Sequence, residues 1–280
     1  MNPDRYAVLG NPVAHSKSPF IHARFAEATG QAVDYGRVLC AMDGFADTVR
    51  RFAAAGGKGC NVTVPFKFEA PALAKTVSPR AQLAGAANVL RFDAEGWFAD
   101  NTDGVGLVRD IERNAGVALA GQRVLLVGAG GGGAGVMGPL LEAGVAELVV
   151  VNRTAAKARV LAERHEALAR QRGAKLVVRA LEDPGSGYGV VLNASATSLQ
   201  GQASPVAAAT LAPGALALDL MYGPAAAPFL AWASAAGAVA RDGLGMLVEQ
   251  AAEAFFLWRG VRPATAPVLT ALREELAAGR

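Results

Sequence analysis

The chain has 280 residues, 52% hydrophobic and 18% charged, with a formal net charge of +3. That length is enough for two domains with a core each, and the composition excludes a disordered chain. The 27 basic residues are scattered, which argues against nucleic acid and leaves anionic small molecules as suitable partners. Cys40 and Cys60 have neither metal nor CxxC spacing, so two free, buried or half-buried thiols are expected. The start of the chain lacks a basic-then-apolar signal, and no segment reaches the about 20 apolar residues a membrane helix needs. A reducing cytoplasm is the expected setting.

Tyr6 to Leu9 reads as a strand ended by Gly10. After a loop over 11–19, Ser18 is expected as the N-cap of a helix with Pro19 in its first turn, stopping at Gly30. Val33 to Leu39 reads as a strand, and Gly44 to Ala55 as a helix with Phe45, Val49 and Phe52 on one stripe. Strands follow at Gly59 to Val64 and Asn88 to Phe92, then a helix from Thr102 to about Asn114. Arg123 to Val127 is an apolar strand leading into glycines. Leu148 to Val151, Leu176 to Val178, Val190 to Leu192 and Ala215 to Leu218 continue as strands between helical stretches, and helices close the chain at Met246 to Trp258 and Ala266 to Ala278. Alternating strands and helices predict a two-domain α/β chain whose sheets are parallel or mostly parallel.

Gly128-Ala129-Gly130-Gly131-Gly132-Gly133 satisfies GxGxxG between an expected strand and an expected helix, the context in which glycines let the backbone approach a pyrophosphate. The alternative is a flexible turn. The next strand ends in Asn152-Arg153-Thr154, with Lys157 a turn further on and no carboxylate. NAD needs an acid there for the ribose 2′-hydroxyl, whereas Arg153 and Lys157 suit the 2′-phosphate of NADP, with Asn152 and Thr154 as hydrogen-bond partners. The alternative is a cap at Thr154 beside two solvated cations.

Lys67 lies just past a strand end and Pro65-Phe66, where open α/β sheets place ligands. Its ammonium suits the protonation of a ketone being reduced, with Asp103 to hold it. From the residues alone, two ordinary surface charges remain the alternative. His15 is expected to order its loop, His22 to lie on a helix face and His165 to be solvated. No third residue at metal spacing joins them. Trp97, Trp232 and Trp258 read as packing aromatics.

Five segments in this order span nearly the whole chain: Gly10 to Pro19, Asn61 to Lys67, Asp100 to Gly104, Asn152 to Thr154, and Asp242 to Ala252. Together with Asn88 they resemble shikimate dehydrogenase. The resemblance implies a substrate domain over 1–101 plus 245–280 and a Rossmann-type NADP(H) domain over 102–244. It implies the reversible NADPH-dependent reduction of 3-dehydroshikimate to shikimate, within chorismate and aromatic amino-acid biosynthesis. Lys67 and Asp103 would be the catalytic pair. Ser16 and Ser18 would bind the substrate carboxylate, and Thr63, Lys67, Asn88, Asp103, Tyr222 and Gln250 the rest of the ring. Gly128, Ala129, Gly130, Gly131, Gly132, Asn152, Arg153, Thr154, Lys157, Asn193, Leu220, Gly243 and Met246 would bind the cofactor. A small polyol acid requires many neutral donors and acceptors, each aimed at one oxygen.

Three departures from the family pattern stand out. Asn193-Ala194-Ser195-Ala196-Thr197-Ser198 shifts the hydroxyls of an Asn-Ala-Thr-Ser-type turn beside the nicotinamide. Ala134 stands where an arginine often follows the phosphate loop, and the threonine usual before Pro228 is missing. Rival readings are a quinate/shikimate dehydrogenase with relaxed cofactor use, a non-catalytic shikimate- or NADP-binding relative, and a folate-linked dehydrogenase. A monomer or homodimer is expected, with no membrane partner.

Overall fold

The computed structural model describes residues 2–195, 197, 198, 201, 202 and 204–278. The chain divides into two units, Met1–Gly106 with Leu247–Arg280, and Leu107–Met246.

The first unit is built on β1 (Asp4–Gly10), β2 (Val33–Leu39), β3 (Gly57–Val62), β4 (Thr76–Val77), β5 (Val89–Arg91) and β6 (Phe98–Asp100). Their order across the sheet is β2-β1-β3-β5-β6-β4. β1 runs parallel to both neighbours, with Leu9 opposite Val38 and Val62. β5 is antiparallel to β3 and to β6, and β6 is parallel to β4, so β5 alone runs against the other five strands and the sheet is mostly parallel, as expected. β4, β6 and the short helix α3 (Pro79–Ala84) were not expected. Strands of two or three residues carry too little periodicity to be read, and β5 returns to β6 through a turn, without a crossover helix.

α1 (Ser18–Thr29) begins at its expected cap residue, one position early. Lys17 occupies the cap position without a side-chain cap bond, and Gly30 ends the helix at φ 65°. Ser18 is instead the first helical residue. α2 (Phe45–Ala54) buries Phe45 and Val49, and Phe45 stacks on the buried Phe66 at 4.8 Å. Leu9, Cys40, Cys60, Val62 and Leu90 complete this core, and both cysteines are free thiols.

His22 does not sit on an open helix face. It is fully buried, stacked on Tyr35 at 4.1 Å and bordered by Phe25, Phe255 and Trp258. Burial lowers its pKa to about 3, so the ring is neutral.

The second unit carries β7 (Arg123–Val127), β8 (Glu147–Val151), β9 (Lys175–Arg179), β10 (Tyr188–Asn193), β11 (Leu211–Asp219) and β12 (Val239–Arg241). Their order is β12-β11-β10-β7-β8-β9, parallel throughout. The sheet grows from β7 outward through β8 and β9, then restarts at β10 on β7's other side. That reversal is the switch point of a doubly wound fold. β12 was not expected; at three residues it is too short to read.

α4 (Asp103–Arg109) continues as a π-helical turn over Asp110–Asn114. Asp110 is buried and paired with Arg241, whose Nη2 lies 2.5 Å from Oδ1. A Cβ at Gly245 would stand 1.8 Å from that oxygen, so only glycine fits there. α5 (Gly131–Glu142), α6 (Ala155–Arg172) and α7 (Ala227–Ala235) follow, and α8 (Leu244–Arg259) and α9 (Ala266–Ala278) close the chain.

His165 is buried against the Leu161 carbonyl at 2.8 Å rather than solvated. Trp258 stacks on Tyr6 at 4.6 Å and donates to the Leu90 carbonyl at 3.0 Å, joining α8 to the first sheet. Trp97 packs on Phe92 and Trp232 on Phe229. No helix among the described residues is long and apolar enough to cross a membrane.

Candidate active site

Two loops leave the carboxyl ends of the neighbouring parallel strands β1 and β3, where open sheets bind ligands. The Asn11 N–H donates to the Val64 carbonyl at 2.9 Å, and the Thr63 N–H to the Leu9 carbonyl at 2.9 Å. A Cβ on Gly10 would stand 2.3 Å from Thr63 Cγ2. Gly10 is therefore what lets the loops touch. Ser16 Oγ donates to Ser18 Oγ at 3.2 Å and accepts from the Ser18 N–H at 3.3 Å. The loop is held by Arg37, whose Nη2 donates to the Ser16 carbonyl at 2.6 Å. His15, expected to order this loop, is exposed and its side chain has no hydrogen bond among the described residues.

Phe66, inserted into the core, anchors a 3-10 turn over Phe66–Phe68. The next residue, Lys67, has its carbonyl held by the Ala87 N–H at 2.8 Å. Its Nζ donates to Asp103 Oδ2 at 2.6 Å, with side-chain exposures of only 15% and 6%. Charge-assisted bonds this short and shielded are strong.

Asn88 holds the other carboxylate oxygen. Its Nδ2 donates to Asp103 Oδ1 at 2.9 Å, and stands 3.1 Å from Gln250 Oε1 and 3.0 Å from Thr102 Oγ1. Its Oδ1 accepts from the Thr102 N–H at 2.8 Å, which fixes the amide orientation. Asn101 Oδ1 accepts from the Asp103 N–H at 3.1 Å. Asp103 thus presents a carboxylate with both oxygens engaged, and Lys67 Nζ has donor capacity left for a further acceptor.

Ser16, Ser18, Thr63, Lys67, Asn88, Asp103 and Gln250 all belong to the first unit. Tyr222 belongs to the second, just before a 3-10 turn over Gly223–Ala226. Two further groups tie the first unit's site together. Tyr35 Oη donates to Asn61 Oδ1 at 2.6 Å, and Asn61 Nδ2 donates to the Asn88 carbonyl at 3.2 Å. Tyr35 carried no signal, because its strand position alternates like any other. Asn61 lay inside a motif but without a role.

In the second unit, α5 starts at the end of β7 with Gly130 as its N-cap. Nothing lies within 4 Å of a Cβ built on Gly130, and only Leu220 Cδ2, at 3.4 Å, approaches one on Gly132. By contrast, a Cβ on Gly128 would meet the Ala194 backbone at 2.8 Å, and one on Gly133 the Gly128 carbonyl at 2.1 Å. Two glycines allow close packing, and two leave an open cradle at a helix N-terminus. That is a fit for pyrophosphate.

Asn152 Oδ1 accepts from the Ala129 N–H at 3.1 Å, and its Nδ2 donates to the Thr154 carbonyl at 2.8 Å. Thr154 occupies the cap position of α6 without a side-chain cap bond. Arg153 and Lys157 are exposed, with no carboxylate partner among the described residues. Leu220 donates to the Asn193 carbonyl at 2.9 Å and Gly243 to the Met221 carbonyl at 2.9 Å. Met246 is buried at the start of α8. At the departures, Ala134 is buried in α5, and α7 begins without a side-chain cap at Ala226. Ala196 lies outside the described residues.

Three family models match the chain: the shikimate dehydrogenase substrate binding domain over residues 8–90, shikimate / quinate 5-dehydrogenase over 110–183, and the shikimate 5'-dehydrogenase C-terminal domain over 243–273. The NADP(+) shikimate dehydrogenase of Methylibium petroleiphilum is 64% identical over 276 residues, covering 96% of this chain and 94% of its own. Among solved structures, an Ael1 enzyme from Pseudomonas putida is 46% identical with a TM-score of 0.86, covering 96% of this chain and 98% of its own. Shikimate 5-dehydrogenase of Thermus thermophilus, in complex with shikimate, is 35% identical with a TM-score of 0.82, covering 98% of this chain and 99% of its own. The fold and site define a two-domain α/β protein with an open, glycine-lined helix N-terminus and a lysine–aspartate pair. The chain belongs to the shikimate dehydrogenase family.

Proposed function

We propose that this protein catalyses the reversible NADPH-dependent reduction of 3-dehydroshikimate to shikimate in aromatic amino-acid biosynthesis, in the cytoplasm. The observation that carries the chemistry is the shielded 2.6 Å contact between Lys67 Nζ and Asp103 Oδ2. The cofactor, when bound, supplies or accepts the hydride. As the ketone is reduced, Lys67 passes an ammonium proton to the developing alkoxide oxygen, and in the oxidative direction the amine takes the hydroxyl proton back. Asp103 holds the lysine in place, and Asn88 prevents the carboxylate from rotating away.

Ser16 and Ser18 receive the substrate carboxylate, with Arg37 behind the loop adding positive charge. Thr63, Asn88 and Gln250 meet ring hydroxyls, and Tyr222 is a further candidate substrate residue. The first unit is the substrate domain and the second the NADP domain. Gly128 to Gly132 carry the pyrophosphate, and Arg153 and Lys157 the 2′-phosphate, with Asn152 and Thr154 beside them. Asn193, Leu220, Gly243 and Met246 lie towards the nicotinamide. Initial rates of nicotinamide reduction with shikimate or quinate, each with NADP or NAD, test the assignment. Strong preference for shikimate with NADP supports it. Preference for quinate or NAD overturns the specificity while keeping the lysine chemistry, and no turnover by folded protein overturns the enzyme reading.

A further inference from the structure

Asp219 ends β11 fully buried and has no part in the chemistry above. Its Oδ2 accepts from Ser198 Oγ and, at 3.2 Å, from Asn193 Nδ2. Its Oδ1 accepts from the Met221 N–H at 2.9 Å. With Nδ2 committed to Asp219 and to Ser198 Oγ at 3.0 Å, Asn193 turns its Oδ1 to Ser195, accepting from Oγ at 2.7 Å and from the N–H at 3.2 Å. Ser195 Oγ also meets Thr197 Oγ1 at 2.7 Å. One carboxylate therefore organises the hydroxyls of a turn whose spacing departs from the family pattern.

A strand end does not require an acid. An apolar side chain would fill the space without the desolvation penalty, and burial indeed pushes the Asp219 carboxyl above its ordinary range against its three donors. What the acid adds is fixed geometry around the cradle. The turn it holds packs on Gly128, and its own strand end carries Leu220, which borders Gly132. With the 2′-phosphate at the end of β8 and the pyrophosphate at the N-terminus of α5, a dinucleotide laid across the switch point places its other half over the ends of β10 and β11.

We propose that Asp219 is a positioning residue for the nicotinamide half of the cofactor, acting through Asn193, Ser198 and the turn after β10. This rests on the NADP reading above. Asp219→Asn keeps the shape but brings an NH2 group against the Met221 N–H or against the Asn193 and Ser198 donors, so the turn shifts.

The test compares wild type and variant by calorimetric binding of 2′,5′-ADP, which lacks the nicotinamide, and by emission anisotropy of bound NADPH at saturation, which reports on the dihydronicotinamide. Turnover and its primary deuterium isotope effect are measured alongside. In the variant, 2′,5′-ADP affinity should stay unchanged and anisotropy fall. Turnover should drop roughly 10- to 100-fold, the order expected of a reacting group misplaced by about an ångström, with a rise in the isotope effect. Ser198→Ala, which removes one donor to Asp219 and one acceptor of Asn193 Nδ2 but leaves the carboxylate, should move the same readouts less, and carries the test if Asp219→Asn does not fold. Unchanged anisotropy in a variant that still binds 2′,5′-ADP overturns the proposal, as does an equal loss of 2′,5′-ADP and NADPH affinity. Failure of the wild-type protein to bind 2′,5′-ADP overturns the cofactor reading itself, and the proposal with it.

Discussion

Lys67 and Asp103 are 36 residues apart in the chain and 2.6 Å apart in the fold. A proton donor acts in the transition state, so Lys67→Ala should lower kcat by roughly 10²- to 10⁴-fold while changing KM for shikimate far less. An equal loss confined to KM would show a binding role only. Arg153 gives a second residue-scale outcome: Arg153→Ala should raise KM for NADP and leave KM for NAD almost unchanged, because only NADP carries the 2′-phosphate.

His22 bears on stability. Its native pKa of about 3 lies below the ordinary 6.5, so the unfolded chain binds the extra proton between those values. Stability attributable to the neutral ring is complete above pH 6.5 and falls as pH drops, up to about 5 kcal/mol by pH 3. Urea unfolding at pH 5 and pH 7 should show a steeper loss in wild type than in His22→Phe. The residue types at these positions were legible. The burial of His22 was not, because an amphipathic helix pattern marks a face without saying what covers it.

At the scale of elements, the glycine loop holds both glycines packed against backbone and glycines with open space beside them. Gly133→Ala would drive a methyl into the Gly128 carbonyl, at 2.1 Å from a fixed backbone atom, and should destabilise the protein by about 1–3 kcal/mol. Gly130 has φ −83° and open space around its Cβ position, so Gly130→Ala should keep the thermal midpoint. Its methyl would nevertheless occupy the cradle and weaken NADP binding roughly tenfold, about 1.4 kcal/mol. Thermal unfolding and NADP titration of the two variants distinguish these outcomes. The run of six residues containing five glycines could not be sorted this way from its letters, since a glycine required by a close approach and one facing a ligand read alike. The same limit applies to β4, β6 and β12, whose two or three residues owe their strand conformation to a neighbouring strand.

Apart from Tyr222, the two sets of candidate residues lie on two units, each with its own six-stranded sheet. Ligand protection should follow that division. In hydrogen exchange, shikimate alone should slow the amides around residues 10–19, 61–67 and 86–103, and 2′,5′-ADP alone those around 127–133 and 151–154. Protection by 2′,5′-ADP confined to the first unit would contradict the cofactor assignment.

By itself the sequence determined the α/β alternation, the central strands, the helix ends at Gly30 and Arg153's freedom from a neighbouring acid. Those depend on local periodicity and on adjacent residues. Only the tertiary structure decided that Asn88 would clamp Asp103, that Tyr35 and Asn61 would join that network, and that Asp219 would hold a turn with shifted hydroxyls. Each depends on a hydrogen bond between residues far apart in the chain, and its partner is fixed by strand order and register.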